Sequence, residues 1–410
     1  MSKTNLFLVP DTLSELTLST KLDLAPLQKV VREKIIPHTM SNDKQAFFNW
    51  DLYKELHGMG VLTSIIPKDF GGQQLPVADL IWIARELSYG SSGCNATFIG
   101  NLLGLSSVVH YAAPELRDRI CADYMKHFSV WSFAMTEAGA GSDLMTIATN
   151  VRETDSGFIL NGEKNYITNG TVSSQMCVFA RHFGKKGEDL GISCFFVPGS
   201  APGVTRGQAL DKIGWRESNT GAILFKNVEL EAGFLLGKAG EGLGILTHCL
   251  NRSKTLLAAS SVGIAYRSLD LAQERLIGTR RYGKPLLEQA AIRHQLARLH
   301  TQTEAAWLMT CRAAGAWDAG FPAVKESSMA KLFAGGVGVD VARTVMELFG
   351  ARGFLSETEI SKIYRDAKAV EIVEGPSLVQ ELLIAKHVLG KASRRAEKKD
   401  AYTFLNTKAA

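Results

Sequence analysis

The stretch that decides the fold is residues 127–143, HFSVWSFAMTEAGAGSD. After His127, Val130, Trp131, Phe133 and Met135 begin a series of short β-prone runs. Downstream the series continues through residues 157–160, 176–180, 192–197 and 222–225. Turn residues punctuate it at Asp155-Ser156-Gly157, Asn161-Gly162, Asn169-Gly170 and Pro198-Gly199. That spacing predicts a small sheet or barrel domain of roughly a hundred residues.

Upstream, residues 23–126 have a helical texture. Val77, Leu80, Ile81, Ala84 and Leu87 form one apolar stripe, and similar stripes run through residues 27–36 and 114–124. Residues 67–72, PKDFGG, read as a loop, and residues 1 to about 24 as an arm without a clear period. Helical texture returns near Gly242, where Val262, Ala265, Leu269, Ala272 and Leu276 step by three and four. Val337, Val341, Val345 and Leu348 repeat that step, and Ile292, Leu296, Leu299, Ala306 and Met309 mark a helix between them. The expected organisation is an all-α domain over 1–127, a β domain over 128–240, a helical bundle over 241–390 and a charged tail over 391–410. The class is α+β multidomain, with a barrel-like centre and a C-terminal four-helix bundle.

Composition bounds the chemistry. A chain of 410 residues exceeds the size of one growing core, so two or three domains are expected. With 46 Lys plus Arg against 41 Asp plus Glu the net charge is only +5, and the basic residues are dispersed until a late cluster at 391–399. This argues poorly for nucleic acid. The six cysteines are spread out with no CxxC, as reduced thiols of a cytoplasmic protein would be. No apolar run has the length of a membrane span, and the nine histidines show no HExxH or paired ligand spacing, so neither a membrane span nor a metal site is expected. There is no Walker-type loop; Gly240, Gly242 and Gly244 read as a flexible turn, and neighbours His248 and Cys249 face different sides of a helix.

One carboxylate stands out within residues 364–380, YRDAKAVEIVEGPSLVQ. Ile372 and Val373 precede Glu374, Gly375 and Pro376 follow it, and Leu378, Leu382, Ala385 and Leu389 recur at helical spacing. Pro376 suits a first helical turn, so Glu374 is expected at the start of a helix. A carboxylate at a chain bend beside apolar side chains can serve as a general base, because desolvation raises its pKa. It can equally be an acid stabilised at a helix N-terminus.

The three-part order and several motifs together resemble the acyl-CoA dehydrogenase family of flavoproteins, over residues 25–390. Residues 133–143, FAMTEAGAGSD, are similar to that family's strand and loop against the flavin, with glycines for close backbone approach and hydroxyls for hydrogen bonds. This marks Phe133, Met135, Thr136, Gly141 and Ser142. KNYITNG at 164–170 is similar to the segment on the other face, marking Tyr166, Ile167 and Thr168, with Tyr166 where the family usually has tryptophan. KIGWRES at 212–218 is a further match. RYGKP at 281–285 and FGARGF at 349–354 resemble the motifs for the phosphates and ADP end of FAD, marking Arg280, Arg281, Tyr282, Glu347, Gly350 and Ala351. Tyr364-Arg365-Asp366 with Glu374-Gly375 complete the set.

The resemblance implies noncovalent FAD, a homotetramer or dimer in which a neighbouring subunit completes the cofactor site, and a mechanism. Glu374 would take the α-proton of an acyl thioester while the β-hydrogen leaves as hydride to flavin N5, giving a trans-2-enoyl product. Pro376, Ser377 and Gln380 would lie near the cofactor, and Ser142, Arg252, Lys254 and Gly375 near the substrate. An electron-transfer flavoprotein, or oxygen in oxidase relatives, would reoxidise the flavin. In some relatives the base sits near Lys254; Ser253-Lys254-Thr255 offer no carboxylate there.

Several positions depart from the family pattern. Thr279 stands where an arginine is usual, with Arg280 following, and Lys254 replaces the arginine near the thioester, with Arg252 close by. Pro376 replaces threonine, Glu347 replaces glutamine and Ala351 replaces glycine. An acyl-carrier-protein thioester of a biosynthetic pathway would fit such departures, as an alternative to acyl-CoA. A flavin monooxygenase or oxidase of the same fold, and a non-catalytic scaffold, are the other readings; Glu374 argues against the monooxygenase.

Overall fold

The computed structural model describes residue 20 and residues 22–390. Most of the N-terminal arm and all of the basic tail therefore lie outside the described residues.

Helices come first. They are α1 (Ala25–Val30, continuing through a π turn at Val31–Ile35), α2 (Thr39–Gln45), α3 (Trp50–Gly58), α4 (Val77–Gly90), α5 (Ser92–Tyr111) and α6 (Pro114–Lys126). The stripe on α4 is buried as expected. Helix α5 is buried almost all round, so it serves as the shared wall between its neighbours. Two long-range contacts fix its partners. Asn101 on α5 accepts from the Trp131 backbone amide at 2.8 Å and donates to the Tyr124 hydroxyl at 2.6 Å. A Cβ at Gly104 would lie 2.8 Å from the Ser132 carbonyl oxygen, so a side chain there would push helix and strand apart.

The strands are β1 (Trp131–Ala134), β2 (Asn150–Glu153), β3 (Gly157–Thr168), β4 (Gln175–Phe183), β5 (Asp189–Pro198), β6 (Val204–Ala209), β7 (Thr220–Glu231) and β8 (Leu235–Leu236). They form one eight-stranded sheet in the order β6-β7-β3-β2-β4-β5-β8, with β1 parallel to β4 so that Phe133 faces Cys177. The end strands β6 and β8 do not pair with each other.

Four helices then build the bundle: α7 (Gly242–Ile277), α8 (Ala290–Asp318), α9 (Val324–Leu348) and α10 (Glu359–Ile372), followed by α11 over 377–390. Leu269, Ala272, Leu276, Val341 and Val345 are buried in the seam, as their spacing predicts. On α11, whose apolar residues recur at helical spacing, Leu378, Leu382 and Leu389 are exposed.

Polar contacts lock the three parts together. Asp318 at the end of α8 accepts from the first backbone amides of α4, Val77 at 2.8 Å and Ala78 at 2.7 Å. The Asp366 carboxylate on α10 accepts from the Trp215 amide and from buried Lys362, both at 2.6 Å, and Arg365 pairs with Asp43 at 2.5 Å. The matched motifs at 212–218 and 364–366 are thus the two sides of one domain junction.

Candidate active site

Helix α10 stops at Ile372, and Glu374 and Gly375 then adopt left-handed backbone, with φ of +52° and +91°. Glu374 is therefore in a strained turn between α10 and α11, two residues ahead of Pro376, and not in the first turn of a helix. A left-handed glutamate costs on the order of 1 kcal/mol and persists only where its surroundings hold it. Two side chains do so. The Gln380 amide donates to the Gly375 carbonyl at 2.8 Å, and buried Lys331 on α9 donates to the same oxygen at 2.7 Å. A Cβ at Gly375 would meet the Gln380 amide nitrogen at 2.7 Å.

The carboxylate itself is asymmetric. Its Oε1 accepts from the Ser253 hydroxyl at 2.7 Å, whereas Oε2 is out of contact with solvent and has no hydrogen-bond partner. Burial pushes the Glu374 pKa up to about 7, against the pull of the Ser253 hydroxyl and of the Lys331 and Lys254 charges. Lys331 is pushed down to about 8 by burial, with the Glu374 charge opposing. Lys254, buried and donating to Asn251 at 3.3 Å, is also held below its ordinary value by burial.

Beside the base a small cavity opens between α5 and α7. Ile99, Leu102 and Leu103 form one wall, Leu256 and Cys249 the other, and Arg252 and Ser253 reach it from α7. Arg252 touches only neutral groups, the Ser106 hydroxyl and the His110 Nε2, each at 3.4 Å.

A second group assembles at the sheet. The Asn165 amide donates to the Thr136 carbonyl at 2.8 Å, bringing Phe133, Met135 and Thr136 beside Tyr166, Ile167 and Thr168. Phe133 packs against Phe179 with ring centroids 4.8 Å apart. Tyr166 is itself left-handed, with φ of +61°, and leaves 62% of its surface exposed. Gly141 and Ser142 sit on an exposed loop, with nothing within 4 Å of a Cβ built at Gly141. Below the loop, buried Lys164 donates to Glu137 and to the Met135 carbonyl, both at 2.8 Å.

Of the remaining sequence-marked residues, Pro376, Ser377 and Gln380 adjoin Glu374, whereas those at 280–282 and 347–351 make no hydrogen bond to it. Arg280, Arg281 and Tyr282 form an exposed two-stranded turn, and Tyr282 has 98% of its surface free. Glu347 is paired with Arg343 at 2.8 Å, and Gly350 and Ala351 follow on the exposed turn after α9. Pro376 is exposed, Ser377 half-buried, and Gln380 buried with its amide oxygen unpartnered.

Sequence reasoning missed Lys331, and it read Ser253 only as a position without a carboxylate. A signal existed for Lys331: a lysine on the small-residue face of α9, among Ala330, Ala334 and Gly338, has to find a partner inside the bundle. Nothing local could have indicated that Ser253 meets Glu374.

The same three-part chain is known elsewhere. Residues 24–127, 132–228 and 240–389 match the N-terminal, middle and C-terminal domains of acyl-CoA dehydrogenases. The mitochondrial short-chain specific acyl-CoA dehydrogenase of Rattus norvegicus is 31% identical over 361 residues, 87% of each chain. Butyryl-CoA dehydrogenase from Megasphaera elsdenii superposes with a TM-score of 0.84 at 27% identity, covering 90% of this chain and 100% of that one. The prolyl acyl carrier protein oxidase AnaB superposes with a TM-score of 0.83 at 25% identity, covering 88% and 97%. This chain is an oxidoreductase that belongs to the acyl-CoA dehydrogenase family.

Proposed function

We propose that the protein is an FAD-dependent dehydrogenase that desaturates an acyl-CoA between its α and β carbons, with Glu374 as the base for the α-proton. The observation that carries this reading is the Glu374 carboxylate, one oxygen fixed by Ser253 and the other dry and unpartnered. Abstraction from a weak carbon acid needs such an acceptor, held in place and made more basic by removal from water.

The residues present suit FAD. An exposed aromatic ring at Tyr166, the hydroxyls of Thr136, Thr168 and Ser142, and open space over Gly141 lie on the sheet side. Pro376, Ser377 and the unpartnered amide oxygen of Gln380 lie beside the base. Arg280, Arg281, Tyr282, Gly350 and Ala351 are exposed turn residues and Glu347 is exposed in the last turn of α9, a set suited to the phosphates and ADP end of a cofactor held by a neighbouring protomer of a dimer or tetramer. FAD, when bound, supplies the acceptor for the β-hydrogen.

The chain's own residues do the rest. Ser253 holds one carboxylate oxygen, so that the other is presented to the proton. Lys254 and Lys331 stabilise the ionised form, while Ile99, Leu102, Leu103 and Leu256 exclude water from the acyl chain. Ser142, Arg252, Lys254 and Gly375 bound the space for the thioester.

A carrier-protein thioester is the second reading, favoured by the likeness to the prolyl acyl carrier protein oxidase and by Lys254 where the family has arginine. Electrons would pass to an electron-transfer flavoprotein or to oxygen. The deciding experiment is anaerobic titration of the FAD-loaded protein with acyl-CoAs and acyl-carrier proteins, following the flavin band, with Glu374→Gln alongside. Loss of reduction by about 10³-fold with FAD still bound is expected for the variant. Near-normal reduction would remove Glu374 from the role.

A further inference from the structure

The cavity beside the base changes character along α5. Ile99, Leu103, Ser106 and His110 follow each other at steps of four and three, with Leu102 three residues after Ile99, so they share one face, apolar at the start and polar at the end. Arg252 closes the polar end. Its guanidinium is half-buried, its contacts to Ser106 and His110 are long at 3.4 Å, and no carboxylate among the described residues lies within ion-pair distance. His110 cannot offset it, since an imidazole is neutral or cationic; desolvation and the Arg252 charge push this one down to about 4, which favours the neutral form. The acid that Arg252 feels at longer range, Asp318, already accepts the two backbone amides at the start of α4.

The neighbourhood as a whole lacks negative charge. Lys254 and Lys331 share one acid at the base, Glu374, since nearby Glu371 is paired with Lys368 at 2.5 Å, and that acid is not a partner of Arg252. A cation left without an anion in a mostly apolar cavity is costly unless a ligand brings one.

We propose that Arg252 is the receptor for a carboxylate carried on the acyl group, so that the substrate is the monothioester of a dicarboxylic acid. This rests on the acyl-thioester reading of the same site. The acyl chain is favoured over the phosphates of the thiol carrier by position. Arg252 adjoins Ser253, which bonds the base, and the base acts next to the thioester carbonyl, whereas the phosphates lie at the far end of the pantetheine arm. The apolar wall would hold the methylenes, and Arg252 with the Ser106 hydroxyl would take the carboxylate, the planar guanidinium through paired N–H donors.

The test uses FAD-loaded wild-type protein and Arg252→Met. Anaerobic flavin reduction is measured with succinyl-, glutaryl- and adipyl-CoA, their ω-methyl esters and butyryl-CoA. Binding of each thioester to Glu374→Gln, with and without Arg252→Met, is measured by calorimetry. The expected result is a free acid favoured over its own ester by roughly 10²-fold in kcat/KM, a ratio that collapses toward one in Arg252→Met through KM, with Kd moving in parallel. Equal use of acid and ester by the wild type would overturn the proposal. So would an equal loss for acid and ester in Arg252→Met, which would assign the anion to the carrier phosphates. Reduction by butyryl-CoA and not by any ω-carboxyl thioester would overturn it while leaving the dehydrogenase reading intact. Failure of every thioester to reduce the flavin would overturn both.

Discussion

The Lys331 ammonium donates to the carbonyl oxygen of Gly375 across 2.7 Å, so a lysine buried in the bundle holds the turn that carries Glu374. The same cation opposes the effect of burial on the carboxyl, favouring its ionised form. Lys331→Met therefore leaves Glu374 with less positive charge nearby and raises its pKa. The pH at which flavin reduction by substrate is half-maximal is expected to move up by about one unit, and Lys331→Arg to restore part of the shift. Loss of rate without movement of the profile would mean that Lys331 only braces the turn.

In the wild type, the fraction of Glu374 able to accept a proton grows as pH rises through about 7. Flavin reduction at subsaturating substrate should climb tenfold per pH unit below that point and level off above it. Stability should run the other way. Because the folded pKa lies above the ordinary 4.5, the stability contributed by Glu374 falls as pH rises from about 4.5 to about 7 and stays at the lower level above that. Glu374→Gln is thus expected to unfold at a higher temperature than wild type at pH 8, by the equivalent of about 2 to 3 kcal/mol, with the advantage fading as pH falls toward 4.5.

Much of this was legible in the sequence because it is local. Period-three-and-four stripes located α4, α7 and α9, short β-prone runs located β3, β4, β5 and β7, and Glu374-Gly375 stood out as an acid at a bend. What was not legible depends on contacts between distant segments. The left-handed backbone at Glu374 is imposed from α9 and by Gln380, and Ser253 meets Glu374 only through helix packing. The stripe on α11 shows the converse limit. Its spacing identifies a helix correctly, but spacing alone does not say that a core lies beneath it, and Leu378, Leu382 and Leu389 are exposed.

Asp318 gives a stability test away from the site. Its carboxylate receives two amide hydrogens at the start of α4, where no side chain of that helix caps them. Asp318→Ala should lower unfolding free energy by about 1 to 2 kcal/mol, measured by denaturant titration, and Asp318→Asn should retain part of it. An unchanged midpoint would mean that water replaces the carboxylate without loss.

The loop on the sheet side is anchored by a buried ion pair. Lys164 has no exposed surface, and its ammonium reaches Glu137 and the Met135 carbonyl at 2.8 Å each. Glu137 in turn accepts from the amides of Ala148 at 2.7 Å and Thr149 at 3.0 Å. Burial would raise the Glu137 pKa, but Lys164 and those donors outweigh it and hold the carboxyl below its ordinary value. One ion pair thus ties together both ends of the loop that bears Gly141 and Ser142. Lys164→Met leaves Glu137 buried without its cation, which costs about 3 to 5 kcal/mol, whereas removing both charges in Lys164→Met/Glu137→Gln costs less. If the loop helps to hold FAD, the single variant should also purify with less bound flavin, and the double variant should recover part of it. A single variant as stable and as yellow as wild type would show that the pair organises neither the loop nor the cofactor site.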